Sequence, residues 1–212
     1  MSFLSSSLIF SFSIEIKPTL ENKKEVINEI FSLINEVKHE LDLKSPDHYY
    51  DKFAIANKFD TAEVVFIKRL LQRELPYRLR TDMIHKLFLR FVTNDEKAFS
   101  RDLYLSMNEI KEMKENGMYF GSHGYSHKWL SFLSKNELDL EIKQSKEFFR
   151  KINGGENNMT MCYPYGDYNS EVILRLKQWG FAAAFTLGWK DATLKKSKAF
   201  TLLRYDTNDF PQ

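Results

Sequence analysis

The chain has 212 residues, with 31 Lys or Arg against 29 Asp or Glu, a formal charge of +2. That balance excludes a basic protein held to nucleic acid by phosphate contacts, and 43% hydrophobic with 28% charged residues excludes a disordered chain. One cysteine, Cys162, excludes an internal disulfide framework and a cysteine-rich zinc module.

The opening stretch, MSFLSSSLIFSFSIEIKPT, is apolar and serine-rich and has no Lys or Arg before Lys17. It lacks the positive start and small-residue cleavage site of a secretory signal, and it is too short for a membrane span. A cytoplasmic location is the matching expectation. Alternation from Leu8 to Ile16 predicts a strand. From about residue 20 to 115 the reading is helical. Thr19 is placed to cap a helix carrying Val26, Ile27, Ile30, Phe31, Ile34, Val37 and Leu41, and Ser45-Pro46-Asp47 breaks it. Asp60 with Glu63 resembles a capping box ahead of Val64, Ile67, Leu70 and Leu71, and Pro76 ends that helix. A further helix carries Met83, Ile84, Leu87, Phe88 and Phe91.

The second half changes rhythm. Ser106 with Glu109 starts a helix that Gly117 stops, and Met118 to Ser122 reads as a strand. Ser134 with Glu137 starts another helix, stopped by Gly154-Gly155, and Met159 to Tyr163 reads as the next strand. Asn169 or Ser170 caps a helix ended by Gly180, and Phe181 to Leu187 is an apolar strand. Alternating helices and strands imply a parallel sheet with crossover helices, whose ligands gather at the carboxyl ends of the strands.

Two constellations fall at such ends. In Gly121-Ser122-His123-Gly124-Tyr125-Ser126-His127 two histidines lie four apart. On a helical turn they would face the same way and share a divalent metal. A pair of ordinary surface or capping histidines gives the same spacing, and a catalytic metal site still requires a third protein ligand. In Tyr163-Pro164-Tyr165-Gly166-Asp167-Tyr168-Asn169, Pro and Gly shape a turn able to present backbone N–H groups, and tyrosine faces suit a sugar. A plain strand-to-helix turn gives the same composition.

The run Gly121 to His127, then Cys162 to Gly166, Gly180 to Thr186 and Leu203 to Asp206 resembles, in order and spacing, the polysaccharide deacetylase (NodB-homology) family. The resemblance covers about residues 103 to 211. It implies a distorted (β/α) barrel and metal-dependent removal of acetyl groups from N-acetylated sugars. By the same resemblance His123 and His127 match the family's metal-ligand histidines, with zinc the expected metal. Tyr165 matches the residue whose backbone N–H helps bind the oxyanion. Tyr163, Pro164, Gly166 and Asp167 are the expected substrate contacts.

The departures are as specific as the matches. The family's Asp-Asp motif, which supplies the general base and a metal ligand, has no counterpart, because no two aspartates are adjacent in this chain. The residue two places before the motif proline, often Arg in the family, is Cys162, and no histidine follows His127. The general base is therefore unassigned, with Asp167, Asp206 and Asp209 the aspartates in or beside the matched motifs. For Asp167 a helix-capping role is the favoured expectation.

The resulting expectation is a single deacetylase-like domain over 1–212. It is an incomplete (β/α) barrel, short of one strand and two aspartates, with a helical insertion at about 20–100. Its expected function is that of a hydrolase on amide C–N bonds of a sugar or polysaccharide, weakly active or inactive alone. A non-catalytic carbohydrate-binding module is the alternative, and an unrelated helical interaction protein a more distant one. No nucleic-acid partner and no membrane span are expected. A missing strand would leave a sheet edge open to self-association.

Overall fold

The computed structural model describes residues 22–57, 60–188, 195 and 198–205. The strand expected over Leu8 to Ile16, the cap at Thr19, and Asp206 and Asp209 lie outside the described residues. The chain divides into two compact units, Met1–Tyr104 and Leu105–Gln212. Among the described residues, no helix is long and apolar enough to cross a membrane.

The first unit is helical among its described residues: α1 (Lys23–Val37), α2 (Pro46–Phe53), α3 (Ala62–Arg69), α4 (Tyr77–Phe91) and α5 (Glu96–Leu103). Helix α1 buries Val26, Ile27, Ile30, Leu33 and Ile34, one apolar stripe at three- and four-residue spacing. Ser45-Pro46 breaks the preceding segment but also begins α2. Pro46 occupies the first turn, where its missing N–H costs nothing, and the Ser45 hydroxyl accepts from His48 N. Helix α3 starts from Thr61, not from an Asp60 box; Asp60 pairs with Lys68 Nζ at 2.8 Å. The chain continues through a π-helical turn, Leu70–Glu74, to Pro76, which precedes the first turn of α4. Phe66, Leu70, Met83, Ile84, Leu87 and Phe88 fill the core, with Phe66 tilted on Tyr50 and edge-on to Phe31.

The second unit alternates helix and strand: α6 (Met107–Glu115), α7 (Lys135–Asn153), β1 (Thr160–Cys162), α8 (Ser170–Gln178), β2 (Ala183–Leu187) and β3 (Leu202–Arg204). Both expected capping boxes form. Ser106 and Glu109 open α6, and Ser134 and Glu137 open α7, each exchanging side-chain and backbone bonds. Asn169 caps α8 by accepting from Val172 N. Gly154, at φ 71°, takes the left-handed conformation that ends α7.

The three strands are parallel in the order β1-β2-β3. Cys162 pairs with Phe185, and Phe185 with Leu202. The strand expected at Met118 to Ser122 reduces to a single parallel bridge, Ser122 with Met161. The sheet is small and unclosed among the described residues. Leu138, Ile142, Met159, Met161, Tyr163, Val172, Leu176 and Ala184 form its core. The carboxyl ends of β1, β2 and β3 lie at Cys162, Leu187 and Arg204, and His123 directly follows the Ser122 bridge.

Candidate functional site

The histidines meet, but not on a helical turn. Residues 121–128 are irregular, and His127 takes a left-handed φ of 51°. That backbone reversal brings the rings together, 4.7 Å between centroids and 74° between planes, with the two Nε2 atoms 3.1 Å apart. His123 Nδ1 lies 2.7 Å from the carbonyl oxygen of Cys162. A carbonyl only accepts, so Nδ1 carries the proton and the neutral ring presents an Nε2 lone pair toward His127.

His123 is exposed and His127 half-buried. Packed atoms still strip enough water from both rings to depress their basicity. Burial lowers the His123 pKa, with the Arg204 charge adding to the effect and the Cys162 carbonyl opposing it. Burial, then the neighbouring His123, lowers the His127 pKa to about 4. Both imidazoles are therefore neutral at pH 7, the form that binds a metal.

The loop is held from α7 by residues the sequence reading did not select. Glu141 Oε1 accepts from Tyr125 N at 2.7 Å and also from Ser126 N, while Oε2 accepts from the Ser126 hydroxyl. The Ser145 and Ser122 hydroxyls are hydrogen-bonded, and Gly124 N donates to Ser122 Oγ at 3.3 Å. Both anchors occupy the buried stripe Leu138, Glu141, Ile142, Ser145, Phe149. Polar residues at core positions were the available signal.

The second constellation forms a turn after β1. Pro164–Gly166 is a 3-10 turn in which Tyr165 has φ 59° and Gly166 φ 70°. Thr186 Oγ1 donates to Gly166 O at 2.9 Å, tying the turn to β2. The Tyr165 ring stacks on Trp129, 4.4 Å between centroids and 7° from parallel, and meets His127 edge-on at 4.8 Å. Tyr165 and the histidine pair thus share one surface. Trp129, absent from the sequence reading, joins it, and Phe132 nearby is 62% exposed.

The other expected contacts are distributed differently. Tyr163 belongs to the core: it is wholly buried, its hydroxyl donates to Phe200 O at 2.9 Å, and its ring stacks on Tyr168. Burial raises its hydroxyl pKa. Pro164 is also buried, against the turn. Asp167 does not cap α8, a task Asn169 performs. Its Oδ2 and Oδ1 accept from the N–H and hydroxyl of Ser131, at 2.8 and 2.7 Å. The histidine loop's exit is therefore pinned to the second constellation. Gly166 places its backbone against Leu187, where an added Cβ would meet Leu187 N at 3.2 Å.

Two imidazole nitrogens 3.1 Å apart are near the roughly 3.3 Å expected for two ligands of one tetrahedral ion bound at about 2.0–2.1 Å. The histidines therefore fit two positions of a divalent-metal site. Among the described residues no group of three or more His, Cys, Asp or Glu gathers to complete it.

Residues 83–184 match the family model described as polysaccharide deacetylase. Two Bacillus subtilis (strain 168) proteins are similar over part of their length. "Putative polysaccharide deacetylase YxkH" is 26% identical over 90 residues, 42% of this chain and 32% of that protein. The peptidoglycan-N-acetylmuramic acid deacetylase PdaA is 26% identical over 76 residues, 36% of this chain and 29% of that protein. The matched stretch thus spans about a third of each curated relative. Among solved structures, Streptococcus pyogenes deacetylase PplD in complex with acetate overlays at a TM-score of 0.44 and 20% identity, over 58% of this chain and 57% of that one.

Proposed function

We propose, for a chain whose residues 83–184 match the polysaccharide deacetylase family model, that it is a member of that family which binds an N-acetylated sugar or polysaccharide and hydrolyses its amide C–N bond weakly, with a divalent metal. The carrying observation is the convergence of His123 Nε2 and His127 Nε2 at 3.1 Å, beside the Tyr165 turn. The three parallel strands are read as part of a distorted, incomplete (β/α) barrel, and the helices of about 20–100 as an insertion within one deacetylase-like domain.

In this reading His123 and His127 hold the metal, zinc suiting the two imidazoles. A divalent ion held by His123 and His127 would supply polarisation of the amide carbonyl and a more acidic water. The Cys162 carbonyl keeps His123 in the Nδ1–H tautomer and its Nε2 available. The Tyr165 N–H stabilises the oxyanion, a contribution of about 3–4 kcal/mol for one such donor. The paired rings of Trp129 and Tyr165 offer a face to a pyranose. Gly166 lets the turn approach β2, and Asp167 holds the loop through Ser131. Both Asp167 oxygens are engaged there, so among the described residues the proposal assigns no carboxylate base in this cleft. A base is typically worth about 10²- to 10⁴-fold, so turnover is slow.

The test is acetate release from N-acetylglucosamine oligomers by the zinc-supplemented protein, by chelated protein, and by His127→Ala. Slow release abolished by both treatments is expected. Equal release from all three would overturn the reading. The exposed aromatic surface supports a second reading, a non-catalytic carbohydrate-binding module. It predicts sugar binding unchanged when His123 and His127 are both replaced by Ala, with no acetate released by the unmodified chain.

A further inference from the structure

Helix α7 places an acidic residue where its stripe calls for an apolar one. Glu141 is 4% exposed, between Leu138 and Ile142 on the core-facing side of the helix. Burying a carboxylate is expensive unless its oxygens are satisfied. Among the described residues no Lys or Arg pairs with it; instead it accepts two consecutive backbone N–H groups, from Tyr125 and Ser126, and the Ser126 hydroxyl. All three donors lie between His123 and His127. Consecutive N–H groups aimed at one oxygen require the backbone to curl around it, and the next residue, His127, enters the left-handed region at φ 51°. Gly124 N–H, turned the same way, donates to Ser122 Oγ. Gly124 itself has φ 78°, and a Cβ there would lie 3.3 Å from Glu141 Oε1. The carboxylate is thus the centre about which the five-residue loop is wound.

We propose that Glu141 is a positioning residue that sets the His123–His127 convergence, by gathering the Tyr125 and Ser126 N–H groups around a buried carboxylate. The metal-binding consequence rests on the deacetylase reading; the geometric one does not. Glu141→Gln keeps an oxygen for both N–H groups and an amide for the Ser126 hydroxyl, so it should rescue. Glu141→Ala leaves both N–H groups without their acceptor.

Two measurements on the full chain separate the possibilities. In metal-free protein, an NMR contact between the His123 and His127 ring protons is expected in the unaltered chain and in Glu141→Gln, and lost in Glu141→Ala. In zinc titrations by calorimetry, Glu141→Ala should weaken affinity about 10- to 100-fold, the usual cost of losing a partner that orients metal ligands. Glu141→Gln should stay within about threefold. If Glu141→Ala does not fold, Ser126→Ala, which removes only the hydroxyl contact, carries the test, with a weakened ring contact expected. Ring contacts and zinc affinity unchanged in a folded Glu141→Ala or Ser126→Ala protein would overturn the proposal. If the unaltered chain binds no zinc, the metal reading fails, and the ring contact alone decides the role of Glu141.

Discussion

Asp167 grips Ser131 with both carboxylate oxygens, one on the backbone N–H and one on the hydroxyl, across 36 positions of sequence. The contact commits the side chain to structure. Asp167→Ala should destabilise by about 1–3 kcal/mol, because the Ser131 donors lose their acceptor. Asp167→Asn can keep both contacts and should cost less than about 1 kcal/mol. Urea midpoints measure both. A general base changed to Asn would lose about 10²- to 10⁴-fold in rate; here acetate release should fall by less than tenfold.

The depressed histidines give the metal-free protein an acid-sensitive stability. His127 moves from 6.5 to about 4 on folding, so between those values the unfolded chain binds more protons. The stabilisation is complete above pH 6.5 and is lost as pH falls toward 4. The loss attributable to His127 should be on the order of 2–3 kcal/mol, allowing for its partial exposure. His123 shifts in the same direction and adds to it. Denaturant midpoints at pH 7 and pH 5 check the sign, and His127→Gln should flatten the dependence.

Two glycines with nearly the same positive φ should respond differently to alanine. Gly154 (φ 71°) faces open space, so Gly154→Ala should cost only the left-handed strain, about 1–2 kcal/mol. Gly166 (φ 70°) would place its Cβ 3.1 Å from Leu187 Cγ and 3.2 Å from Leu187 N. Gly166→Ala should therefore cost a further 1–3 kcal/mol or so, and displace the Tyr165 turn from β2. Thermal melts compare the stabilities, and tryptophan fluorescence from Trp129 reports the displaced stack.

In the helical unit, Phe66 is wholly buried against Tyr50 and Phe31. Phe66→Ala should cost about 3–5 kcal/mol, measured by urea unfolding, through lost transfer energy and the cavity left behind.

Local signals in the sequence reached the helices well. Ser106 with Glu109, Ser134 with Glu137, and Asn169 announce helices because the capping bonds are made within three residues. Asp60 with Glu63 shares the pattern but not the outcome, because Lys68 takes the Asp60 carboxylate. Helix α5 lies within the stretch of about 20–115 that reads as helical but receives no bounds of its own there, and it buries no residue. Strand β3, three residues ending in Arg204, is defined by its pairing with β2, a relation that no local pattern contains. At the site, the histidine spacing was visible, but the reversal at His127 depends on a carboxylate 14 positions away. Tyr163 and Tyr165, two residues apart, look equivalent in sequence. Strand geometry sends one into the core, and the left-handed turn brings the other beside His127.

The partner that fixes the tautomer of His123 is a main-chain atom. The Cys162 carbonyl is aimed by the registration of β1 on β2, Cys162 opposite Phe185, and not by its own thiol. Mutating position 162 changes the side chain and leaves the acceptor in place. A change of side chain at position 162 is therefore neutral for the imidazole's protonation pattern. A slip of one residue between the strands would alter it without touching any residue of the site.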